Sequence, residues 1–477
     1  MLDKRDFYIN GAWVKPAKAN DLNVINPATE EACAVISLGD QSDTDATVAA
    51  AKAAFEPWAM TPKAERLDYI KAILEEYKKR NDDMAEAISI EMGAPIDMAR
   101  AAQAGAGSWH IQGFIDSFTE MDFEEAPWPS SPNERILHEP IGVCAMITPW
   151  NWPMNQVTLK VIPALAVGCT VVLKPSEESP LSSMVFAEII DAVGLPKGVF
   201  NMVNGDGVGV GSQLSSHADV DMVSFTGSTR AGRLITKAAA DTIKRVTLEL
   251  GGKGANIIFA DADEKAVIRG ARHCFGNTGQ SCNAPTRMLV ERSRYDEAVQ
   301  QAAETADATP VNDPSMNGRH IGPVVNKVQF DKIQGLIETG ISEARLVAGG
   351  IGRPEGLNRG YYVRPTVFAD VNNEMTIARE EVFGPVLSII PFDTEEEAVR
   401  IANDTVYGLT NYVQTQDAEK ASRVARRMRS GMVRINGEDS AHPSPFGGYK
   451  QSGNGREGGV WGLEDFLEVK HVTGLSS

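Results

Sequence analysis

The stretch FGNTGQSCNAPTR, residues 275 to 287, sets Cys282 behind a Gly-Gln-Ser turn and shortly before Pro285. Its polar neighbours Gln280, Ser281 and Asn283 suit an exposed turn or a helix start, where local dipoles lower a thiol's pKa and make it a nucleophile. The competing reading is a small residue filling a gap. Cys144, Cys169 and Cys274, in apolar strand or helix contexts, fit that reading better. A second candidate is Glu249, held between leucines in LELGGKG at a strand end. A carboxylate there must be paired, protonated or working, and partial burial would raise its pKa towards that of a useful general base. The alternatives are a helix cap or a partner arginine. PWNWP, residues 149 to 153, is either a rigid loop aiming the Asn151 amide into a cleft or an aromatic turn packed on the core.

Two glycine-bearing turns could meet phosphate. FTGSTRAG joins a strand to a helix, and backbone N–H groups at a helix start favour an anion, although Gly-Ser-Thr also serves simply as a cap. NGDGVGVG, residues 204 to 211, fails the dinucleotide spacing, because Gly207 and Gly209 need a third glycine where Ser212 stands. It reads as a glycine-rich turn.

The elements that must position these residues follow from periodicity. FYINGAWV and NVINPAT read as short strands, and residues 61–92 as a helix carrying Leu67, Ile70, Ile73, Leu74 and Tyr77 at helical spacing and stopped by Gly93 and Pro95. From Gly142 the chain alternates. GVCAMI, TVVLK, VFNMVN, MVSFTG and RVTLEL are strands, with helices between most of them, which predicts a parallel sheet covered on both faces. KPSEE, FTGS and ELGGK fall at strand ends, where such sheets bind ligands. A second alternating region begins after Gly251 with ANIIFA, the helix-like DEKAVIRGARHCFG and TRMLVE, and runs to GMVRINGE. EEAPWPSSPNERILHEP and DFLEVKHVTG are isolated and polar. They are either solvated loops or short strands that pair with each other or with a neighbouring subunit.

Composition excludes several classes. The 477 residues carry 46 Lys and Arg against 64 Asp and Glu, a net charge of −18, which argues against nucleic acid and against an anionic membrane as partners. Five scattered cysteines make no C-x-x-C pair and the seven histidines do not cluster, so neither a disulfide framework nor a metal site is expected. The first residues lack the apolar run of a signal peptide and no stretch is apolar enough to span a bilayer, so a cytoplasmic location is expected.

In order along the chain, PWNWP, KPSEE, FTGS, LELGGK, GQSC, EEVFGP and PFGGYKQSG resemble the aldehyde dehydrogenase superfamily over essentially the whole sequence. The resemblance implies an α/β fold: a Rossmann-like dinucleotide-binding domain (1–120 and 141–251), a second α/β catalytic domain (252–450), and a small β oligomerisation arm with a C-terminal segment (121–140 and 451–477). It implies NAD-dependent oxidation of an aldehyde to the acid in a homodimer or homotetramer. It casts Cys282 as nucleophile, Asn151 as oxyanion donor beside the Cys282 N–H, and Glu249 as the base that activates water. Trp150, Lys174, Glu177, Gly227, Ser228, Glu381 and Phe383 would hold the cofactor. Lys174 and Glu177 would take the adenosine ribose, which favours NAD over NADP because a carboxylate repels a 2′-phosphate. Glu457, in GREG, matches a residue sometimes given a proton-relay role. The expected tunnel lining is Trp152, Trp109, Phe114, Ser281, Asn283 and Phe446, with Trp152 where the family usually has phenylalanine. That lining suggests a medium-sized or partly apolar aldehyde, and SCNAPTR resembles members acting on semialdehydes. No arginine flanks Cys282 to grip a carboxylate, although Arg287 is near in sequence. The alternatives are a coenzyme A-acylating enzyme, which would lack Glu249, and a silent NAD-binding structural member, which would have lost a catalytic residue.

Overall fold

Val143–Ile147 and Thr170–Lys174 are buried at every position, as strands covered by helices on both faces must be. The computed structural model describes residues 1 to 475 apart from Pro132 and His442. Pro132, Ser476 and Ser477, in the expected arm and C-terminal segment, and His442, in the expected catalytic domain, lie outside the described residues.

The first large sheet orders its strands as Gly453–Asn454, Arg245–Glu249, Met222–Thr226, Val143–Ile147, Thr170–Lys174, Phe200–Met202, Phe7–Ile9 and Ala12–Val14. Its five inner strands run parallel, and the chain winds outwards from Val143–Ile147 first to one side and then to the other. That reversal makes a crevice between the ends of the 143–147 and 222–226 strands, the place where such sheets take ligands. Both strands end in motifs singled out from sequence, PWNWP and FTGS.

The second sheet orders Arg345–Ala348, Thr366–Ala369, Val386–Phe392, Arg287–Glu291, Ala255–Ile258, Thr410–Gln414 and Met432–Ile435, parallel except for the first pair. A separate ribbon pairs Leu467–Thr473 antiparallel with Glu134–Pro140, Leu467 opposite Pro140 and Thr473 opposite Glu134. The two polar segments therefore pair with each other. A third small sheet is built from Leu2–Asp3, Glu31–Ser37 and Asp21–Asn26.

Two expectations are corrected. Residues 61–92 form two helices, Lys63–Lys79 and Asn81–Met92, joined at Arg80. The first buries Ile70, Ile73, Leu74 and Tyr77, and the second buries Met84, Ala85, Ile88 and Met92. The chain bends so that both stripes meet the core, with Arg80 clamped between Asp83 and Glu188. In addition, Gly453 and Asn454, expected in a C-terminal segment, pair with Glu249 and Leu248 at the edge of the first sheet. The glycine-rich NGDGVGVG is a π-helical turn capped by Asp206, whose side chain accepts the Gly209 N–H.

Gly453 has φ of +124°, and an added Cβ would sit 1.8 Å from the Leu248 carbonyl oxygen. Gly453→Ala is expected to lower Tm by roughly 3 °C or more and to reduce activity with it. Gly207→Ala, which meets nothing within 4 Å, is expected to leave both unchanged; thermal melts and initial rates on the two variants check this.

Candidate active site

Two turns from different sheets meet in the crevice. One is PWNWP, leaving the 143–147 strand. The other is the tight turn Gly276–Gly279, which delivers Gln280, Ser281 and Cys282. Asn277 and Thr278 sit in the left-handed region at φ 49° and 56°, followed by Gly279 at φ 71°. Such conformations persist at non-glycine residues only when their surroundings hold them. Here Thr278 Oγ1 donates to the Gly322 carbonyl at 3.0 Å, and Asn277 Nδ2 donates to the carbonyls of Asn151 and Gln280 at 3.0 and 3.1 Å. Gln103 Nε2 reaches the Asn151 carbonyl and Asn277 Oδ1 at 3.0 and 3.2 Å. Asn151 Nδ2 donates to the Gln280 carbonyl at 2.9 Å, and Trp152 Nε1 to Ser281 Oγ at 2.8 Å. Gln103 carried no signal in the sequence, because it lies in an alanine-rich helical run far from any motif.

Gly279 and Gly252 let backbones close in. A Cβ on Gly279 would lie 2.1 Å from the Gly384 carbonyl group, and one on Gly252 would lie 2.2 Å from the Cys282 carbonyl oxygen. The LELGGK, GQSC and EEVFGP motifs are thus in contact with one another.

Of the two settings expected, an exposed turn or a helix start, Cys282 takes a turn, half-buried and followed by a strand, so no helix start lies at the thiol. Burial pushes its thiol well above the ordinary value, and the carboxylates of Glu381, Glu249 and Glu457 push the same way; its own backbone N–H opposes them. The expectation of a lowered thiol pKa is therefore reversed in the ligand-free protein. Glu249 is more deeply buried than expected, at 4% exposure, and neither of its oxygens has a hydrogen-bond partner. It caps no helix and pairs with no arginine. Burial, and then the neighbouring Glu457 carboxylate, raise its pKa well above the usual range, with Lys160 and Arg456 opposing. Glu249 lines a chamber of about 10 Å3 with Lys160, Arg456, Glu457 and Asp465, room for about one water molecule. Lys160 and Glu457 form a buried ion pair there, with Lys160 at 1% and Glu457 at 9% side-chain exposure.

A larger cavity of about 330 Å3 is lined by Trp150, Asn151 and Trp152 from the first turn, Gly227 and Ser228 from FTGS, Cys282 and Asn283, Glu381 and Phe383, and Phe446. Asn155 and Gln156, which the sequence reading did not single out, line it too. Trp109 is not among the lining residues and is 43% exposed. Phe114 is a core residue, 2% exposed, packed under Gly462. Ser281 is engaged by Trp152. Arg287 is fully buried and spends its guanidinium on the carbonyls of Lys253, Ile401 and Ala402 and on Asn373. It does not reach the cavity.

The residues expected at a dinucleotide surround the same crevice. Ser228 caps the helix Thr229–Ala239 through the Ala231 N–H, leaving a helix start beside the cavity. Phe383 is held at φ 58° with its ring edge-on to Trp150, centroids 5.4 Å apart. Glu381 accepts the Gly252 N–H at 2.8 Å, and only a glycine at 251 admits it, since a Cβ there would lie 2.4 Å from its Oε2. Lys174, buried at the end of its strand, pairs with Glu177 at 3.1 Å outside the cavity lining. A helix start for phosphate, two aromatic rings, and carboxylates for ribose hydroxyls form a donor set that fits a nicotinamide dinucleotide. Among the described residues no group of three or more His, Cys, Asp or Glu could hold a metal ion.

The chain belongs to the aldehyde dehydrogenase family, whose model matches residues 13–472. It is 51% identical over 477 residues to the 3-succinoylsemialdehyde-pyridine dehydrogenase of a Pseudomonas species, covering 99% of each chain. Among solved structures it is similar to an aldehyde dehydrogenase from Bartonella henselae (60% identity, TM-score 0.98, covering 99% of this chain and 100% of that one). It is similar also to a cysteine-to-alanine mutant of aldehyde dehydrogenase C from Pseudomonas syringae, solved with NAD+ and octanal (50% identity, TM-score 0.97, covering 99% and 97%).

Because the Cys282 pKa is raised, the thiol is protonated at neutral pH and its thiolate fraction grows with pH. Iodoacetamide labelling of the ligand-free enzyme, followed at the Cys282 peptide by mass spectrometry, is expected to climb about tenfold per unit from about pH 7 to about pH 9 without levelling. An ordinary thiol would level off near about 8.5. Gly279→Ala is expected to cut kcat/KM by about 100-fold through displacement of the Cys282 turn, with the far-UV circular dichroism spectrum retained.

Proposed function

We propose that the protein oxidises a neutral, medium-sized aldehyde to its carboxylic acid with NAD, through a covalent bond to Cys282. The observation that carries this reading is the convergence of Cys282, Asn151, Trp150, Glu381 and Phe383 on one cavity at the sheet's switch point.

The Cys282 thiolate attacks the carbonyl carbon. The oxygen becomes an oxyanion beside the Asn151 side-chain amide and the Cys282 N–H, donors fixed before the reaction starts. NAD, when bound, supplies the hydride acceptor. As the tetrahedral carbon gives up hydride and its C–O double bond re-forms, the acyl group is left as a thioester on Cys282. Glu249 takes a proton from water, the resulting hydroxide adds to the thioester, and the C–S bond breaks to release the acid and the thiolate. The carboxyl of Glu249 hands its proton towards the small chamber, where the Glu457 carboxylate accepts it and the Lys160 ammonium, paired with Glu457, holds that carboxylate in place. Covalent catalysis thereby divides one oxidation into two accessible steps. The glutamate at position 249 favours hydrolysis over transfer to coenzyme A.

Glu177, hydrogen-bonded to Lys174, favours ribose hydroxyls over a 2′-phosphate and therefore NAD over NADP. Residues 1–120 and 141–251 form the NAD-binding unit and 252–450 the catalytic unit. The antiparallel pair Glu134–Pro140 and Leu467–Thr473, within the arm 121–140 and the C-terminal segment 451–477, is the contact between subunits of a cytoplasmic homodimer or homotetramer; the largely solvent-exposed 467–473 strand at its edge supports this. Among the described residues no helix is long and apolar enough to cross a membrane. The octanal complex of the Pseudomonas syringae relative and the semialdehyde in the name of the Pseudomonas relative support an aldehyde of this size.

Absorbance at 340 nm with NAD and NADP, across aliphatic, aromatic and carboxylated aldehydes, tests the reading. Cys282→Ala is expected to be inactive, and Asn151→Ala to lose about 100- to 1,000-fold in kcat. Glu249→Gln is expected to give a burst of one NADH per site followed by slow turnover, because it blocks hydrolysis after hydride transfer. A burst of equal size in the absence of aldehyde, or full turnover by Cys282→Ala, contradicts the assignment.

A further inference from the structure

The first turn of the helix Pro153–Val167 carries two amides, Asn155 and Gln156, in an otherwise largely apolar and buried helix. Both line the cavity that holds Cys282. They belong to a chain of hydrogen bonds in which each link fixes the next. Thr226 Oγ1 donates to Gln156 Oε1 at 2.7 Å, Gln156 Nε2 donates to Asn155 Oδ1 at 3.2 Å, and Asn155 Nδ2 stands 3.0 Å from His110 Nε2. His110 is itself set edge-on to Trp109, with centroids 4.8 Å apart.

Both amides are therefore held by the network through their oxygen and through one N–H of their nitrogen. Each carboxamide nitrogen has two N–H groups, and these bonds use one from each. Gln156 is only 5% exposed, so its remaining donor has little water to turn to, and a buried donor without a partner is costly. Trp152 and Phe446 add aromatic surface to the same lining. Charge narrows the ligand further. Lys332, the one lysine lining the cavity, donates to the Glu381 carbonyl. Glu381 lines the same cavity as Cys282, so the lining offers a carboxyl and no uncommitted lysine to a substrate carboxylate.

Taking the proposed reaction as its basis, we infer that Asn155 and Gln156 are specificity-determining residues that donate hydrogen bonds to a second, uncharged acceptor in the substrate. The substrate class is an aldehyde with a ketone oxygen or ring nitrogen along its otherwise apolar chain, rather than a plain aliphatic aldehyde or a carboxylate-terminated one. The acceptor meets the remaining N–H groups of the two amides and fixes the chain while the carbonyl carbon lies at Cys282.

The test compares kcat/KM of the wild-type enzyme for octanal with its values for 4-oxo-, 5-oxo- and 6-oxo-octanal and for 8-oxooctanoate, chains of equal length. Octanal turnover separately checks the underlying reaction. At least one oxo isomer is expected to exceed octanal by about tenfold, the worth of a hydrogen bond made to an otherwise unpaired donor, with 8-oxooctanoate below octanal. In Gln156→Met and Asn155→Leu the ratio of the best oxo isomer to octanal is expected to fall towards one, a ratio that a general loss of folding or of thiol reactivity does not move. The inference is overturned if no oxo isomer outruns octanal in the wild type, or if the preference survives in both variants.

Discussion

Everything chemical in this protein depends on keeping two turns from two sheets in register. Cys282 arrives from the second sheet's side, and Asn151 leaves the first sheet. Neither turn is stable in its conformation alone: one holds two successive non-glycine residues in the left-handed region, and the other is a proline-bracketed pair of tryptophans. Side-chain amides on carbonyls stitch them, Gln103 and Asn277 to Asn151, and Asn151 to Gln280, with the Trp152 indole closing on Ser281. Each bond contributes only about 1 kcal/mol. A shift of about 1 Å at a reacting centre can cost two orders of magnitude in rate, so their value lies in placement more than in stability.

A second constraint is a surplus of buried negative charge. Glu249, Glu457 and Asp465 share a chamber with Lys160 and Arg456, and Glu381 lines the cavity that holds Cys282. Lys160 offsets one carboxylate by direct contact, while Glu249 is left with two unpartnered oxygens. A structural glutamate would be satisfied. An unsatisfied, desolvated carboxyl with a raised pKa is instead the kind of group that clusters at functional sites. The same carboxylates disfavour the thiolate form of Cys282 in the ligand-free protein.

Much of this was legible from sequence because it is local. The strands read correctly where β-branched runs were bounded by glycine or proline, and FTGS and PWNWP stood out as strand-end turns. What failed was non-local. The bend at Arg80 follows from two helices burying different stripes, and Arg80's pairing with Glu188 involves a residue far along the chain. Phe114 was assigned to the tunnel by chain proximity to motifs, but the packing of Gly462 draws it into the core. Arg287 lies five residues beyond Cys282, yet its strand carries it away to cap distant carbonyls. The direction of the Cys282 pKa shift was misjudged because the carboxylates that set it come from positions 249, 381 and 457. Asn155 and Gln156 were passed over because, within an apolar helical run, nothing local distinguishes a network amide from a solvated one.

The pairing of Lys160 with Glu457 spans 297 residues, and the strand edge beside Glu249 is supplied by Gly453 and Asn454. During synthesis, then, the first sheet emerges from the ribosome early but cannot be finished early. It must wait, with a buried lysine uncompensated and one edge open, until almost the whole chain has been made. An interrupted translation product would thus carry most of the first sheet while lacking both its last edge strand and the carboxylate that pairs with Lys160. Such a species would be recognisable to quality-control machinery by the open edge rather than by any gross unfolding.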